Sequence, residues 1–248
     1  MSRLLAVGDI HGYRAKLSAL MDKVQPVQED KVIFLGDYID RGTDSPGVIN
    51  YLIEFAKEFP NTVFLAGNHD HLLVSMLSKL GILPQVEFGN SNKAVQFKSI
   101  AEVPPYRKDF STIFYANGGT STLTQYKSFE DLPADHLQFF ASLKLFHEEK
   151  ADGKNFFFVH AGIRPGVSLE NQTAEDLLWI TEWEDEFIKG DDFGGRIIVR
   201  GHSYFMDVPG SSPYLINVDS GVYLNPQGDF GKGVLTCCDV VTREFWQA

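Results

Sequence analysis

Five short apolar runs in this chain each end in side chains that bind divalent cations. Leu4–Val7 leads into Gly8-Asp9-Ile10-His11-Gly12, and Val32–Leu35 into Gly36-Asp37-Tyr38-Ile39-Asp40-Arg41-Gly42. Val63–Ala66 leads into Gly67-Asn68-His69-Asp70, Phe156–Val159 into His160-Ala161-Gly162, and Ile197–Val199 into Arg200-Gly201-His202. Carboxylates, imidazoles and an amide thus fall at the carboxyl ends of β-like runs, where α/β sheets carry their chemistry. The inventory suits a hydrolytic site holding two metal ions, which needs anionic and imidazole ligands, one of them shared, and a water or hydroxide between the ions. Asp9 and His11, two residues apart on one turn, can reach the same ion, and Asp37 can bridge. Asn68, His160 and His202 can complete a second, nitrogen-rich site. Mixed oxygen and imidazole ligands suit Mn²⁺, Fe or Zn²⁺ better than Ca²⁺. The flanking glycines (Gly8, Gly12, Gly36, Gly67, Gly201) are expected to let the backbone turn sharply. Four of the seven histidines lie in these motifs. His71, His136 and His147 read as surface or packing residues, His71 standing nearest the site.

The elements that must position these residues follow from periodicity. Arg3–Val7 reads as a strand, and Arg14–Val24 as a helix from its Leu17, Leu20, Met21 and Val24 spacing. Ser45-Pro46 reads as an N-cap followed by Pro at the first helical position, opening a helix through Phe59. A further helix should follow Asp70, carrying Leu72, Leu73, Met76, Leu77 and Leu80. This alternation implies parallel strands with right-handed crossovers. Residues 81–117, with weaker periodicity and Pro84, Pro104 and Pro105, read as an insertion or cap. Pro133–Leu145 and Thr173–Ile188, with Trp179 and Trp183 a turn apart, read as helices. Asn155–Val159, Arg196–Val199, Tyr214–Val218 and Gly233–Val240 read as strands. One domain over residues 1–248 follows, with two sheets or one strongly twisted sheet flanked by helices.

Composition narrows the class. A chain of 248 residues that is 44% hydrophobic can bury a substantial core. A net charge of −11 argues against nucleic acid or an anionic membrane surface as partner. No run approaches the ~18 apolar residues of a membrane span. The apolar stretch after Met1 is too short for a signal peptide. The adjacent Cys237 and Cys238 sit in a strand-like run and are poorly placed for a disulfide, so a reducing cytoplasm is the expected setting.

Together the motifs resemble the phosphoprotein-phosphatase branch of the calcineurin-like metallophosphoesterases, in its shorter bacterial form. The resemblance runs from Arg3 to Cys238. It includes Asn117-Gly118-Gly119 with Thr122-Leu123, His160-Ala161-Gly162-Ile163-Arg164-Pro165-Gly166, Leu178-Trp179-Ile180 and Ile216-Asn217-Val218-Asp219-Ser220-Gly221. It implies an α/β fold with a two-sheet β-sandwich core flanked by helices in αββα layers. It implies two divalent ions, Mn²⁺ first among the candidates, one held by Asp9, His11 and Asp37, the other by Asp37, Asn68, His160 and His202. His69 would be the general acid, with Asp40 orienting it and raising its pKa. Arg41 and Asn68 would hold phosphoryl oxygens, and a hydroxide between the ions would attack phosphorus in line. The implied activity is hydrolysis of phosphomonoesters, foremost phosphoserine and phosphothreonine in proteins, by a monomer whose partners are phosphoproteins or small phosphoesters.

Three positions depart from the family pattern. Thr181 follows Leu178-Trp179-Ile180 where the bacterial proteins have a second phosphate-binding Arg. Losing one charge-assisted contact costs on the order of 1.5–3 kcal/mol, and Arg164 is the favoured substitute ahead of Arg196 and Arg200. Asp70 stands where many relatives have Glu. With His71-Leu72-Leu73 it is similar to the diadenosine-tetraphosphate hydrolases, which typically lack the aspartate at Asp40. Gly201-His202-Ser203-Tyr204 lacks a common Thr-Pro. The alternatives are therefore a dinucleoside polyphosphate hydrolase, or a phosphoprotein-binding pseudoenzyme. Asp219 and Ser220 could orient a ligand or simply end a strand. Tyr38, Tyr106, Tyr115, Tyr204 and Phe205 could line a groove, with specificity set by residues 81–117 and 203–213.

Overall fold

Leu4–Val7 shows how the sequence sorts its side chains. Leu4 and Ala6 point one way, into a core shared with Phe156, Phe158, Ile197 and Val199, whereas Leu5 and Val7 point the other way, among Leu17, Leu20, Met21 and Val24. A strand whose two faces meet different partners must be apolar at every position, and all four residues are buried. In the computed structural model, which describes residues 2–86, 93–181, 194–204, 211–225 and 233–248, this strand (β1) is central to a five-stranded sheet. The order is β10 (Glu244–Gln247), β9 (Thr236–Asp239), β1, β2 (Lys31–Phe34) and β3 (Thr62–Phe64). β1, β2 and β3 are parallel, in the register Leu4 with Lys31 and Val32 with Thr62, while β9 pairs antiparallel with β1 on one side and with β10 on the other.

The second sheet repeats the plan. Its order is β4 (Phe146–Ala151), β5 (Lys154–Val159), β6 (Arg196–Arg200), β8 (Leu215–Asn217) and β7 (Ser211–Ser212), with β5, β6 and β8 parallel. Phe156 and Phe158 face the first sheet, and Phe157 and Val159 face Ala174, Leu177 and Leu178. The result is the sandwich of two mixed sheets flanked by helices, in place of one twisted sheet. A one-residue slip of β5 would exchange its two faces, and Phe158→Ala would cost about 3–5 kcal/mol of core packing.

The helices are α1 (Arg14–Val24), α2 (Ser45–Glu58), α3 (Asn68–Lys79), α4 (Phe110–Ala116), α5 (Gly119–Tyr126), α6 (Ala134–Ser142) and α7 (Ala174–Trp179). α1 has the expected bounds and buries its four expected residues. Asp44, not Ser45, caps α2, its carboxylate accepting the Gly47 N–H at 2.9 Å. α3 starts at Asn68, ahead of Asp70, so the Asn68-His69 pair sits in the first helical turn. The described part of residues 81–117 contributes Ala94, Ile100, Val103, Phe110 and Phe114 to the same core that α3 buries against. The outer part of the helix expected through Ile188, with Trp183, and Phe205 with most of the 203–213 loop lie outside the described residues. Among the described residues no helix is long and apolar enough to cross a membrane.

Candidate functional site

The parallel strands of both sheets deliver their carboxyl ends to one place. β1 delivers Asp9 and His11, β2 delivers Asp37 to Arg41, and the turn after β3 delivers Asn68 and His69. From the second sheet come His160, His202 and Asp219, at the ends of β5, β6 and β8. Reaching inward demands unusual backbone. His11, Asp37, Asp40, Arg41 and His202 all have φ between +48° and +71°, a region that costs an L-residue about 1–2 kcal/mol. Of the flanking glycines, Gly12 (φ +70°) and Gly36 (φ +106°) turn as expected, and the functional residues beside them share the left-handed backbone. Gly67 and Gly201 serve close approach instead: a Cβ on Gly67 would meet Asp37 Oδ1 at 2.0 Å, and one on Gly201 would meet Asp9 Oδ1 at 2.3 Å.

Each inner histidine is pinned by a backbone carbonyl through one nitrogen, which leaves the other as an acceptor facing the centre. His11 Nδ1 donates to Ile39 O at 2.9 Å, His160 Nδ1 donates to Leu35 O at 2.9 Å, and the Trp179 carbonyl engages His202. Consequently Asn68 Oδ1, His160 Nε2 and His202 Nδ1 lie 3.0–3.2 Å from one another with no proton to share. Three lone-pair atoms at that separation repel unless a cation lies between them. Ligands about 2.0–2.2 Å from one ion stand about 3 Å apart, so the residues fit a metal. Asp37 faces both ways. Its Oδ1 lies 3.6 Å from His160 Nε2 and accepts the His69 N–H at 3.0 Å, while its Oδ2 lies 3.6 Å from His11 Nε2 and 3.9 Å from His69 Nε2. Two candidate ion clusters therefore share Asp37: Asp37 with His160 and His202, and His11 with Asp37 and His69.

Burial sets the electrostatics. It pushes the carboxyls of Asp9 and Asp37 well above the usual range, reinforced for Asp9 by Asp219 and for Asp37 by Asp70. Burial likewise lowers the imidazoles, His160 to about 3. Buried carboxylates that resist ionising beside imidazoles that resist protonation make a site that a divalent cation would complete. Asp9 lies beside the Asp37, His160 and His202 cluster. It accepts the His202 N–H at 3.2 Å and lies 4.0 Å from His160 Nδ1, while His69 is the third member of the His11 cluster.

Beside this cluster lies a second arrangement. Asp40, fully buried, accepts the His69 Nδ1–H through Oδ2 at 2.7 Å. Arg41 sets its guanidinium 3.3 Å from His69 Nε2 and 3.8 Å from the Tyr223 ring centroid. Burial, then Arg41 and His202, pushes the His69 pKa well below its ordinary value, the opposite of the upward shift expected from Asp40. Burial also raises Asp40 to about 7, against the pull of Thr122 and Arg41.

Helix α5 braces this loop. Ser121 Oγ and Gln125 Nε2 both donate to Gly42 O at 2.9 Å, and Gln125 Oε1 accepts the Ser45 N–H at 2.6 Å. Thr122 Oγ1 accepts the Asp40 N–H at 2.9 Å and donates to Asp40 Oδ1 at 2.5 Å. Gly118, at φ +101°, opens α5 against Arg41, with only 3.5 Å from a Cβ there to Arg41 Cγ.

Several expected residues have other partners. Arg164 is paired with Asp176, its Nε at 2.8 Å from Oδ1. Arg196 donates to Glu148 and buried Arg200 to the Ala161 carbonyl, so the candidates to replace the missing arginine at Thr181 are engaged elsewhere. Asp70 accepts the N–H groups of Gly67, Asp37 and Tyr38 at 2.8–3.2 Å, stapling α3 to the Asp37 loop. Asp219 accepts the Gly221 N–H at 2.8 Å, and burial raises it to about 6. Among the aromatics, Tyr38 is core, its hydroxyl donating to Leu65 O at 2.7 Å, and Tyr106 stacks on Trp179. The sequence reading passed over Tyr223, Ser121 and Gln125 and gave Thr122 no role. The only available signal was the spacing of Ser121, Thr122 and Gln125 on one helical face after Gly118-Gly119.

Comparison with known proteins agrees with this geometry. The family model for calcineurin-like phosphoesterases matches residues 2–205, and the chain belongs to that family. It is 33% identical over 88 residues to the serine/threonine-protein phosphatase 4 catalytic subunit of Eremothecium gossypii, covering 34% of this chain and 28% of that protein. It is 31% identical over 99 residues to the serine/threonine-protein phosphatase 6 catalytic subunit of Caenorhabditis elegans, covering 40% and 30% respectively. The chain thus spans less than a third of the length of these curated relatives. In fold it is similar to the crystal structure of a proposed diadenosine tetraphosphatase, at TM-score 0.64 and 20% identity, covering 100% of this chain and 93% of the other.

Proposed function

We propose that this phosphoesterase hydrolyses phosphomonoesters, phosphoserine and phosphothreonine in proteins foremost, using two divalent cations. The observation that carries the reading is the adjacency of a convergent acceptor set (Asn68, His160, His202, with Asp37 shared) to the Asp40–His69–Arg41 arrangement. Asp37, His160, His202 and Asn68 would hold one ion, and His11, Asp37 and Asp9 the other. Bound there, Mn²⁺ or a similar ion supplies Lewis acidity toward phosphoryl oxygens and lowers the pKa of water. Arg41 binds the phosphoryl oxygens through its planar fork. His69 Nε2 passes its proton to the leaving oxygen as the P–O ester bond breaks and the bond from water to phosphorus forms, while Nδ1–H stays on Asp40. A guanidinium beside Nε2 disfavours a second positive charge on that nitrogen, whether a metal ion or a proton, so the dianionic phosphoryl group must dock on Arg41 before His69 carries its proton.

The test is a comparison of Mn²⁺-loaded protein, against a metal-stripped control, on a phosphothreonine peptide and on diadenosine tetraphosphate. Preference for the peptide supports the reading, and preference for the dinucleotide overturns it. Asp70, the residue that suggested the dinucleotide, is committed to three backbone N–H groups. Thr181 is exposed and uncharged, so Thr181→Arg is expected to lower KM for a phosphomonoester by about tenfold. An unchanged or higher KM would reject a phosphate contact at that position.

A further inference from the structure

Most side chains that α5 lays on the Asp40 loop hold backbone. Ser121 and Gln125 meet the Gly42 carbonyl, and Gln125 also takes the Ser45 N–H. Thr122 alone of the three touches a functional side chain. It donates to the carboxylate oxygen of Asp40 that His69 does not use, and it accepts the N–H of the same residue. Thr122 and Asp40 are both buried, so no water can stand in for the hydroxyl. Asp40 is also held at φ +71°, a conformation its neighbours must enforce.

We propose that Thr122 is a positioning residue for the general acid, a role that rests on the phosphatase reading. With Oδ1 occupied by the Thr122 hydroxyl, Asp40 has one oxygen, Oδ2, left for His69 Nδ1–H. The ring is thereby fixed in one tautomer and one orientation, with Nε2 toward Arg41 and the phosphoryl site. Without that hydroxyl, Oδ1 is a buried acceptor lacking a donor, and the carboxylate turns to recover one from His69 or Arg41. The misdirected ring then delivers its proton poorly, while the cation ligands are untouched.

Leaving-group dependence isolates this role, because a general acid matters most when the departing oxygen is basic. Thr122→Val is expected to lower kcat on phenyl phosphate by about a hundredfold, the low end of general-acid contributions. On 2,4-dinitrophenyl phosphate, whose leaving group needs no proton, the loss should be under about fivefold. Thr122→Ser should restore both rates, and Ser121→Ala should leave the ratio of the two substrates at the wild-type value even if it slows both. The second readout is ring-nitrogen NMR of ¹⁵N-histidine-labelled, metal-free protein. His69 should show a protonated Nδ1 and a bare Nε2 in the wild type and in Thr122→Ser, and a mixture in Thr122→Val. Equal losses on both esters, an equal ratio change in Ser121→Ala, or an unaltered His69 spectrum in Thr122→Val would each overturn the proposal. If the metal-loaded wild type cleaves no phosphate ester, the phosphatase reading falls, and the spectra still decide whether Thr122 fixes the ring.

Discussion

The two halves of the site are built to different tolerances. Asp37 stands 3.6 Å from a histidine in each half, but Asn68, His160 and His202 also set three facing atoms 3.0–3.2 Å from one another, whereas His69 Nε2 stands 3.9 Å from Asp37 Oδ2. The first half hangs on structure that cannot easily give: His160 is anchored across the sandwich on Leu35 O, and Asn68 sits in the first turn of α3. The second half hangs on the loop from Asp37 to Gly42, where three residues have positive φ and an outside helix supplies the brace. A site closed on one side and looser on the other expects one cation to be held firmly and the second to draw its ligands together.

The shared residue gives the largest expected effect. Asp37→Ala removes an oxygen from both clusters and leaves buried imidazoles facing one another. Turnover should fall by at least about a thousandfold, and both ions should be lost on gel filtration. Retention of one ion per chain, measured by mass spectrometry of the metal, would show that Asp37 is not shared. Next comes the asymmetry itself. His160→Ala should empty the tight cluster, while His11→Ala should leave about one ion bound with affinity changed by less than about tenfold. An ion retained as firmly in His160→Ala as in His11→Ala would erase the distinction between the halves.

What the sequence disclosed does not follow this division. The residues of both halves were legible because they stand directly behind apolar runs, where a strand end and a ligand are read together. The sandwich followed from runs such as Leu4–Val7 and Phe156–Val159, apolar at every position because both faces are covered. β4 and β10 were not legible. Phe146-His147-Glu148-Glu149-Lys150-Ala151 is a half-exposed antiparallel strand with only weak alternation, and pairing with β5 decides it. α4 and α5 were hidden in the same way, their short amphipathic stretches broken by Asn117-Gly118-Gly119. The role of Thr122 is a contact across 82 residues, and no local pattern encodes it. Asp70 teaches the reverse lesson, since its departure from the family residue suggested a different substrate while its carboxylate serves the backbone.

The smallest expected effect separates a buried histidine of the site from one beside it. His71 lies in α3 one turn beyond Asn68, and burial pushes it down to about 4, against the weaker upward pull of the Val103 and Pro104 carbonyls. Its value in the unfolded chain is about 6.5, so between the two the unfolded state binds a proton that the folded state refuses. The stability it contributes is fully present above pH 6.5 and is lost as the pH falls toward 4. Between pH 7 and pH 5 the loss amounts to about 2 kcal/mol. His11, His160 and His202 are pushed the same way, also by burial, but added Mn²⁺ should stabilise their neutral forms and cannot reach His71. Urea unfolding of wild type and His71→Leu at both pH values, with and without Mn²⁺, resolves the two contributions. The variant should lose about 2 kcal/mol less than wild type on acidification, and that difference should persist when the ion is present. Identical pH dependence in the two proteins would mean that His71 takes up its proton in the folded state, and that α3 opens beside the site at mildly acidic pH.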